Sequence, residues 1–187
     1  RRPALIHTLK SLGGMAVAPH HLAAQAARDV LREGGNAVEA MVAAASTIAV
    51  VYPHMNAIGG DGFWLIHEPG QPPVAIEACG PAAALATPAF YAGQAAIPAR
   101  GATAALTVAG TIGGWQRALE VSAGWGGRLP LTRLLGDATR HANDGIVVTT
   151  SQAALTAQTL DGLKDAPGFA STDLIDGRPP RPGEVLR

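Results

Sequence analysis

The sequence predicts an α+β layered domain, and three observations carry that prediction. Two helix-length apolar patterns, over 21–33 and 37–51, follow one another across the pair Gly34-Gly35. Two short strand-like runs, 63–67 and 74–77, flank the turn sequence Glu68-Pro69-Gly70-Gln71-Pro72. Helical patterns return at 110–122 and 130–143. Helices alternating with antiparallel strands make an α+β layered fold.

Residues 13–18 read as a short strand after a turn, and Pro19 suits the first turn of a helix. In that helix Ala23, Ala26, Ala27, Val30 and Leu31 recur at the spacing of one buried face. Gln25, Arg28, Asp29 and Arg32 cover the other face. Gly34-Gly35 ends it, because glycine takes a left-handed φ without a Cβ penalty. Asn36 is a good N-cap for the next helix, and Glu39 stands at the third position of a capping box. Beyond Glu39 that helix is apolar nearly all round, so it is predicted to be buried on most sides. Tyr52-Pro53 stops it.

The hairpin brings residues 59–61 beside residues 77–79, far from its turn. Residues 80–104 are rich in Ala, Pro and Gly and are expected to cross the surface, with a short helix at Thr87-Pro88-Ala89-Phe90-Tyr91. Leu106-Thr107-Val108 reads as a strand. The helix over 110–122 is expected to turn Ile112, Trp115, Leu119 and Val121 inward. The helix over 130–143 places Leu131, Leu134, Leu135 and Ala138 on one face, and Asp144-Gly145 turns the chain. Residues 151–187 suggest one short helix and then Pro-rich irregular chain. With no internal repeat, residues 1–187 read as a single domain holding three or four strands of an incomplete sheet.

Charged residues make up 15 % of the chain, against about 25 % in ordinary soluble domains. Much of the surface is therefore expected to be covered by a partner subunit or flanking sequence. The 14 basic and 14 acidic residues cancel and the basic ones are scattered, which excludes a nucleic-acid footprint. The single Cys79 excludes an internal disulfide and a CxxC metal site. It favours a reducing compartment, hence a cytoplasmic location, or a periplasmic one if a signal peptide was removed ahead of Arg1. The apolar stretch 40–51 is too short for a membrane span, which needs roughly 20 residues.

Few residues carry chemistry by themselves. Gly59-Gly60-Asp61-Gly62 precedes a strand rather than a helix, so it fails the test for a phosphate loop. Asp61 in such a turn either bonds its own backbone or meets a ligand. His20, His21, His54 and His67 lack metal-ligand spacing and read as structural, so no metal or cofactor is expected. Cys79 has Glu77 two residues away, a poor setting for a thiolate nucleophile. Ser46 and Thr47 are expected to bond back to the preceding helical turn. No G-x-S-x-G elbow is present.

Taken in order, Gly34-Gly35-Asn36-Ala37-Val38-Glu39-Ala40, Pro53-His54-Met55-Asn56 and Ile58-Gly59-Gly60-Asp61-Gly62-Phe63 resemble the large subunit of the gamma-glutamyltranspeptidase family. Leu106-Thr107-Val108-Ala109-Gly110-Thr111, Gly127-Arg128-Leu129-Pro130-Leu131 and Asp144-Gly145 extend the resemblance over about residues 13–152. The resemblance implies one part of a four-layer αββα sandwich of the N-terminal-nucleophile hydrolases, cut from a self-cleaving precursor. It implies that no catalytic residue lies in this chain. The nucleophile would be the Thr that begins a separate small subunit, with its free α-amino group as base. A small-molecule amide would acylate that Thr, and water or an amine would take the acyl group. Assembly as a heterodimer, and as a dimer of heterodimers, is the corresponding expectation for partners.

Two departures narrow the reading. Gamma-glutamyl enzymes of the family carry an Arg at the end of the second hairpin strand, which holds the substrate carboxylate as a bidentate pair. Aligned on Gly80-Pro81, Glu77 stands in its place, and a carboxylate there repels a carboxylate. Asp61 stands where typical transpeptidases have Gly. The variant resembles an amidohydrolase branch of the family similar to oxamate amidohydrolase. A true gamma-glutamyltransferase, a cephalosporin acylase and a non-catalytic scaffold are the alternatives. Glu77 and Asp61 are the expected substrate-binding residues.

Overall fold

The computed structural model describes residues 8–101, 103–104 and 107–187. Helix α1 (His21–Arg32) begins on His20, whose Nδ1 accepts from the Leu22 N–H at 3.3 Å. Pro19 therefore sits just outside the helix and not in its first turn. At the other end the Gly34 N–H bonds the Leu31 carbonyl and the Gly35 N–H bonds the Val30 carbonyl, with Gly34 at φ 86°. This pairing of nested bonds with a left-handed glycine is the Schellman motif.

Helix α2 (Ala37–Val51) starts two residues later on the expected capping box. The Asn36 side-chain oxygen accepts from the Val38 and Glu39 N–H groups, and Glu39 Oε2 accepts from the Asn36 N–H at 2.8 Å. Glu39 then reaches further. Its Oε1 accepts from the backbone N–H groups of Arg128 and Leu129, both at 2.7 Å. Asn36 Nδ2 donates to Ser122 Oγ at 2.8 Å. The helix cap is thus also the tie between the N-terminal helices and a loop about ninety positions away.

The main core is built largely of small side chains. Ala23, Ala26, Ala27 and Val30 of α1 meet Ala40, Val42, Ala43 and Ala44 of α2, closed by Trp115 and Leu134. Alanine faces let two helices approach closely, and dense packing then supplies the dispersion contacts.

Strands β1 (Gly62–Ile66) and β2 (Val74–Ala78) form the antiparallel hairpin, in register Gly62 with Ala78 and Phe63 with Glu77. Trp64, Ile66 and Ile76 pack toward helix α3 (Thr111–Gly124). The other face leaves Phe63 72 % and Leu65 78 % exposed. Helix α3 buries Thr111, Gly114, Trp115, Ala118 and Ser122, whereas the expected Ile112 is half exposed. The reason is steric. A Cβ on Gly114 would overlap the Ala78 side chain, so the smallest residues face the strand.

The expected helix over 130–143 is two, α4 (Leu131–Leu134) and α5 (Gly136–Asp144), meeting at Leu135. Gly136 follows the break, and glycine is a weak helix former. Leu134 and Ala138 are buried as expected, but Leu131 is half exposed. Gly145, at φ 93°, turns the chain into β3 (Ile146–Val147).

The C-terminal third is more ordered than the sequence implies. Thr149 caps α6 (Thr150–Leu163), a helix of 14 residues rather than a short one. After α7 (Phe169–Asp173), strand β4 (Val185–Leu186) returns to pair antiparallel with β3. Val51, Ile146, Val148, Ala153 and Leu186 make a second core there. The four strands therefore form two separate ribbons among the described residues, not one sheet. Residues 13–18 join no ladder. Ala16 and Ala18 pack on the main core instead. Residues 87–91 form successive turns without a helix. Of the strand expected at 106–108, Leu106 lies outside the described residues, and Thr107 makes a single bridge to Ala82. The chain is mixed helix and sheet, as the sequence predicts.

Replacing Glu39 by Ala removes the acceptor of three backbone N–H groups at a site 2 % exposed. The expected loss is about 2–4 kcal/mol of unfolding free energy, since three part-buried donors lose a charged acceptor. Chemical denaturation of the whole protein checks it. A loss below about 1 kcal/mol would show that the junction is held by something else.

Candidate active site

The open end of the hairpin is where the fold concentrates close backbone contacts. The Gly60 carbonyl accepts from the Gly110 and Thr111 N–H groups, both at 3.0 Å, and from Thr111 Oγ1 at 2.7 Å. The Val108 N–H bonds the Pro81 carbonyl at 2.9 Å. Segment 107–111 is thereby laid along segment 78–82. A Cβ on Gly80 would overlap the Val108 carbonyl, and one on Gly110 would overlap the Ala78 carbonyl. Both glycines are required by this approach of backbone to backbone.

Asp61, Glu77 and Cys79 come together at this junction. Asp61 is exposed, and its Oδ1 accepts from the Thr107 hydroxyl at 2.6 Å. The bond runs to a residue 46 positions away, so the carboxylate ties two segments and does not merely close its own turn. Glu77 lies across from Phe63 at the strand end and is exposed. Among the described residues no Arg or Lys forms an ion pair with either carboxylate. Burial, then Asp61, then Glu77 push the Cys79 thiol above its ordinary value. A thiolate is disfavoured there, in line with the reading of Cys79 as no nucleophile.

Beside Asp61 lies a cavity of about 270 Å³ between α2, β1 and α3. Asn56, Asp61 and Thr111 give it polar wall, and Met41, Trp64 and Trp115 give it apolar wall. Glu77 does not line it. Thr107 does not line it, and its bond to Asp61 was not legible because only the crossing of segment 107–111 over the hairpin makes it. A larger groove of about 660 Å³ runs along Arg28, Glu33, Arg133 and Arg140, but its charges are already paired. Arg133 holds Glu33 and Asp137, and Arg140 holds Asp137.

The histidines are structural. His20 caps α1 and stacks on His21 at 4.6 Å, and Tyr52 meets the His54 ring edge-on at 4.2 Å. Both His54 ring nitrogens are buried without a partner among the described residues. His67 is exposed. Among the described residues no three His, Cys, Asp or Glu side chains converge on a metal position. Ser46 Oγ donates back to the Ala43 carbonyl at 3.1 Å as expected. Thr47 Oγ1 does not, and is buried without a partner. No helix among the described residues is long and apolar enough to cross a membrane.

Comparison with known proteins places this geometry. The family model described as Gamma-glutamyltranspeptidase matches residues 23–187. The oxamate amidohydrolase proenzyme of Klebsiella pneumoniae is 60 % identical over 178 residues, covering 95 % of this chain and 34 % of that protein. A glutathione hydrolase-like YwrD proenzyme of Bacillus subtilis is 37 % identical over 171 residues, covering 91 % of this chain and 32 % of that protein. Among solved structures, the gamma-glutamyltranspeptidase of Helicobacter pylori superposes with a TM-score of 0.86 at 25 % identity, covering 96 % of this chain and 52 % of that one. Cephalosporin acylase from Bacillus halodurans gives 0.77 at 34 % identity, covering 89 % and 32 %. The chain spans about a third of the length of the curated relatives it matches.

His20, His54 and His141 are all held below their ordinary value of 6.5, with burial the first cause. Unfolding lets each bind a proton that the folded state refuses. Stability therefore falls as pH drops below about 6.5 and levels off below the folded values. Thermal midpoints of the whole protein measured from about pH 7 to pH 5 should show this decline, and His54→Gln should flatten it. A midpoint flat across that window would contradict the assignment.

Proposed function

The chain belongs to the gamma-glutamyltranspeptidase family, and from that premise we propose that it is the N-terminal part of the large subunit of an amidohydrolase or acyltransferase. Residues 1–187 form one domain of that subunit. The whole enzyme is a four-layer αββα sandwich cut from one precursor. Its small subunit begins with the nucleophilic Thr, whose α-amino group takes the hydroxyl proton as the amide carbonyl is attacked. An acyl-enzyme forms, the amine leaves, and water completes the cycle. This chain supplies the hairpin, the helical layer behind it and part of the substrate wall, and no nucleophile. A cytoplasmic location is the one its unpaired Cys79 favours.

The substrate we favour is a small amide of the oxamate type. The observation that carries this is the 60 % identity to an oxamate amidohydrolase proenzyme over nearly the whole chain. The hairpin end differs from that of the gamma-glutamyl enzymes. Asp61 and Glu77 face that end without a paired cation among the described residues. Such a site does not offer the bidentate Arg that would hold a gamma-glutamyl carboxylate. Glu77 lies on the hairpin's open face beside Phe63, and we assign Glu77 and Asp61 to the substrate wall. The same face carries exposed Phe63 and Leu65, the apolar surface that a small subunit would cover. A dimer of such heterodimers is the assembly we expect.

N-terminal sequencing of the mature enzyme should return a second chain beginning with Thr. Hydrolysis should be found with oxamate and be at least about a hundredfold weaker with a gamma-glutamyl anilide, since a missing bidentate pair removes a strong charge-assisted contact. Preference for the anilide would sink the oxamate-type reading. Absence of a Thr-first chain would sink the enzyme reading as well.

A further inference from the structure

A second cavity, of about 280 Å³, opens between the segment after α2, helix α6 and helix α7, and it shares no residue with the cavity at the hairpin end. His54 lines it, with both ring nitrogens buried and without a partner among the described residues. Tyr52 packs edge-on against that ring at 4.2 Å and holds it in place. Two opposite charges line the same space. Asp173 comes from α7 and Arg100 from the segment ahead of α3, and neither forms an ion pair among the described residues. Burial alone holds the Asp173 carboxyl above its usual range and the His54 imidazole below its own. Each shift is that of a group taken out of water with no opposite charge close enough to offset it. Leu155, Leu163 and Phe169 supply the apolar part of the wall.

Charge and size together select what fits. A guanidinium, a carboxylate and a neutral imidazole carry no net charge between them. A simple anion satisfies Arg100 and is repelled by Asp173, and a simple cation meets the reverse. A zwitterion meets both, with its carboxylate on the Arg100 fork and its ammonium on Asp173. The imidazole both donates and accepts, so it bonds either end of such a ligand. Ordinary ligand pockets hold about 300–1,000 Å³, and a cavity at the low end of that range takes one small molecule rather than a peptide. We propose that this cavity binds a free α-amino acid with an aliphatic side chain. Arg100 holds its carboxylate, Asp173 holds its ammonium, His54 bonds it from the buried wall, and Leu155, Leu163 and Phe169 surround its side chain. The site lies apart from the acyl chemistry, so it stands independently of the amide-hydrolysing reading above.

Isothermal titration of the whole processed enzyme with L-leucine is the test. Leucine should bind saturably. The compounds 4-methylpentanoate and 3-methylbutylamine each lack one of its charges and should bind about tenfold more weakly or worse. Arg100→Gln and Asp173→Asn should each weaken leucine about tenfold or more, and both should leave amide hydrolysis unchanged, because neither residue lines the hairpin-end cavity. His54→Gln keeps a donor and an acceptor and should bind within about threefold of the wild type, whereas His54→Leu should lose about tenfold. Absence of saturable heat with leucine overturns the proposal. So does binding of 4-methylpentanoate or 3-methylbutylamine as tight as that of leucine, or an unchanged leucine affinity in both Arg100→Gln and Asp173→Asn. If a variant fails to fold, the wild-type titration with the three compounds decides. Calorimetry reads binding without turnover, so failure of the amidohydrolase reading leaves this test intact.

Discussion

The Glu39 carboxylate is the constraint on which the rest of the structure depends. It is nearly inaccessible to solvent and sits in the first turn of α2, where the positive end of the helix favours a negative group. One oxygen completes the capping box with Asn36, and the other takes the N–H groups of Arg128 and Leu129. Burying a charge is costly unless it is fully hydrogen-bonded. Here three backbone donors meet that condition. The angle between α1 and α2, the end of α3 and the start of α4 are set around one side chain.

That anchor makes a tight core of small residues workable. With α1, α2 and α3 fixed at their ends, alanine and glycine faces come close enough for the hairpin to rest on α3. Gly114 beside Ala78, and Gly110 and Gly80 against facing carbonyls, leave no room for a side chain. The backbone of segment 107–111 is therefore held against the hairpin by hydrogen bonds rather than by large apolar side chains. A junction built this way holds Thr107 within hydrogen-bond reach of Asp61 where segment 107–111 meets the hairpin.

Local signals made much of the fold legible. The cap at Asn36, the end of α1 at Gly34-Gly35 and the bounds of α2 follow from residues next to one another in the chain. The hairpin itself followed from the turn between its strands. What escaped was non-local. The inward face of α3 was expected from hydrophobicity, with Ile112 inside. The structure selected for size, with Gly114 and Ala118 inside, because a strand from elsewhere needs the space. Strand β4 has only two residues and exists because β3 waits for it across a long connection. At the hairpin end, Asp61 was singled out by its Gly-rich setting and Glu77 by a family position, and the structure brings both to one junction. The Thr107 contact with Asp61 carries no local mark, since it exists only where the 107–111 crossing closes on the hairpin.

The charge at the hairpin end is set by side chains that the backbone junction does not constrain. A rigid backbone junction fixes where the strand ends stand, while the side chains carried there decide the sign of the local field. An Arg at such a strand end attracts a carboxylate. Asp61 and Glu77 place acceptors there instead, and after burial they are the next causes that raise the Cys79 thiol. Thr107 donates to Asp61 from a segment locked to the strand by backbone bonds. What this junction attracts then follows from which groups are charged at the strand ends, while the backbone that carries them is fixed by the hydrogen bonds of Gly60 and Pro81.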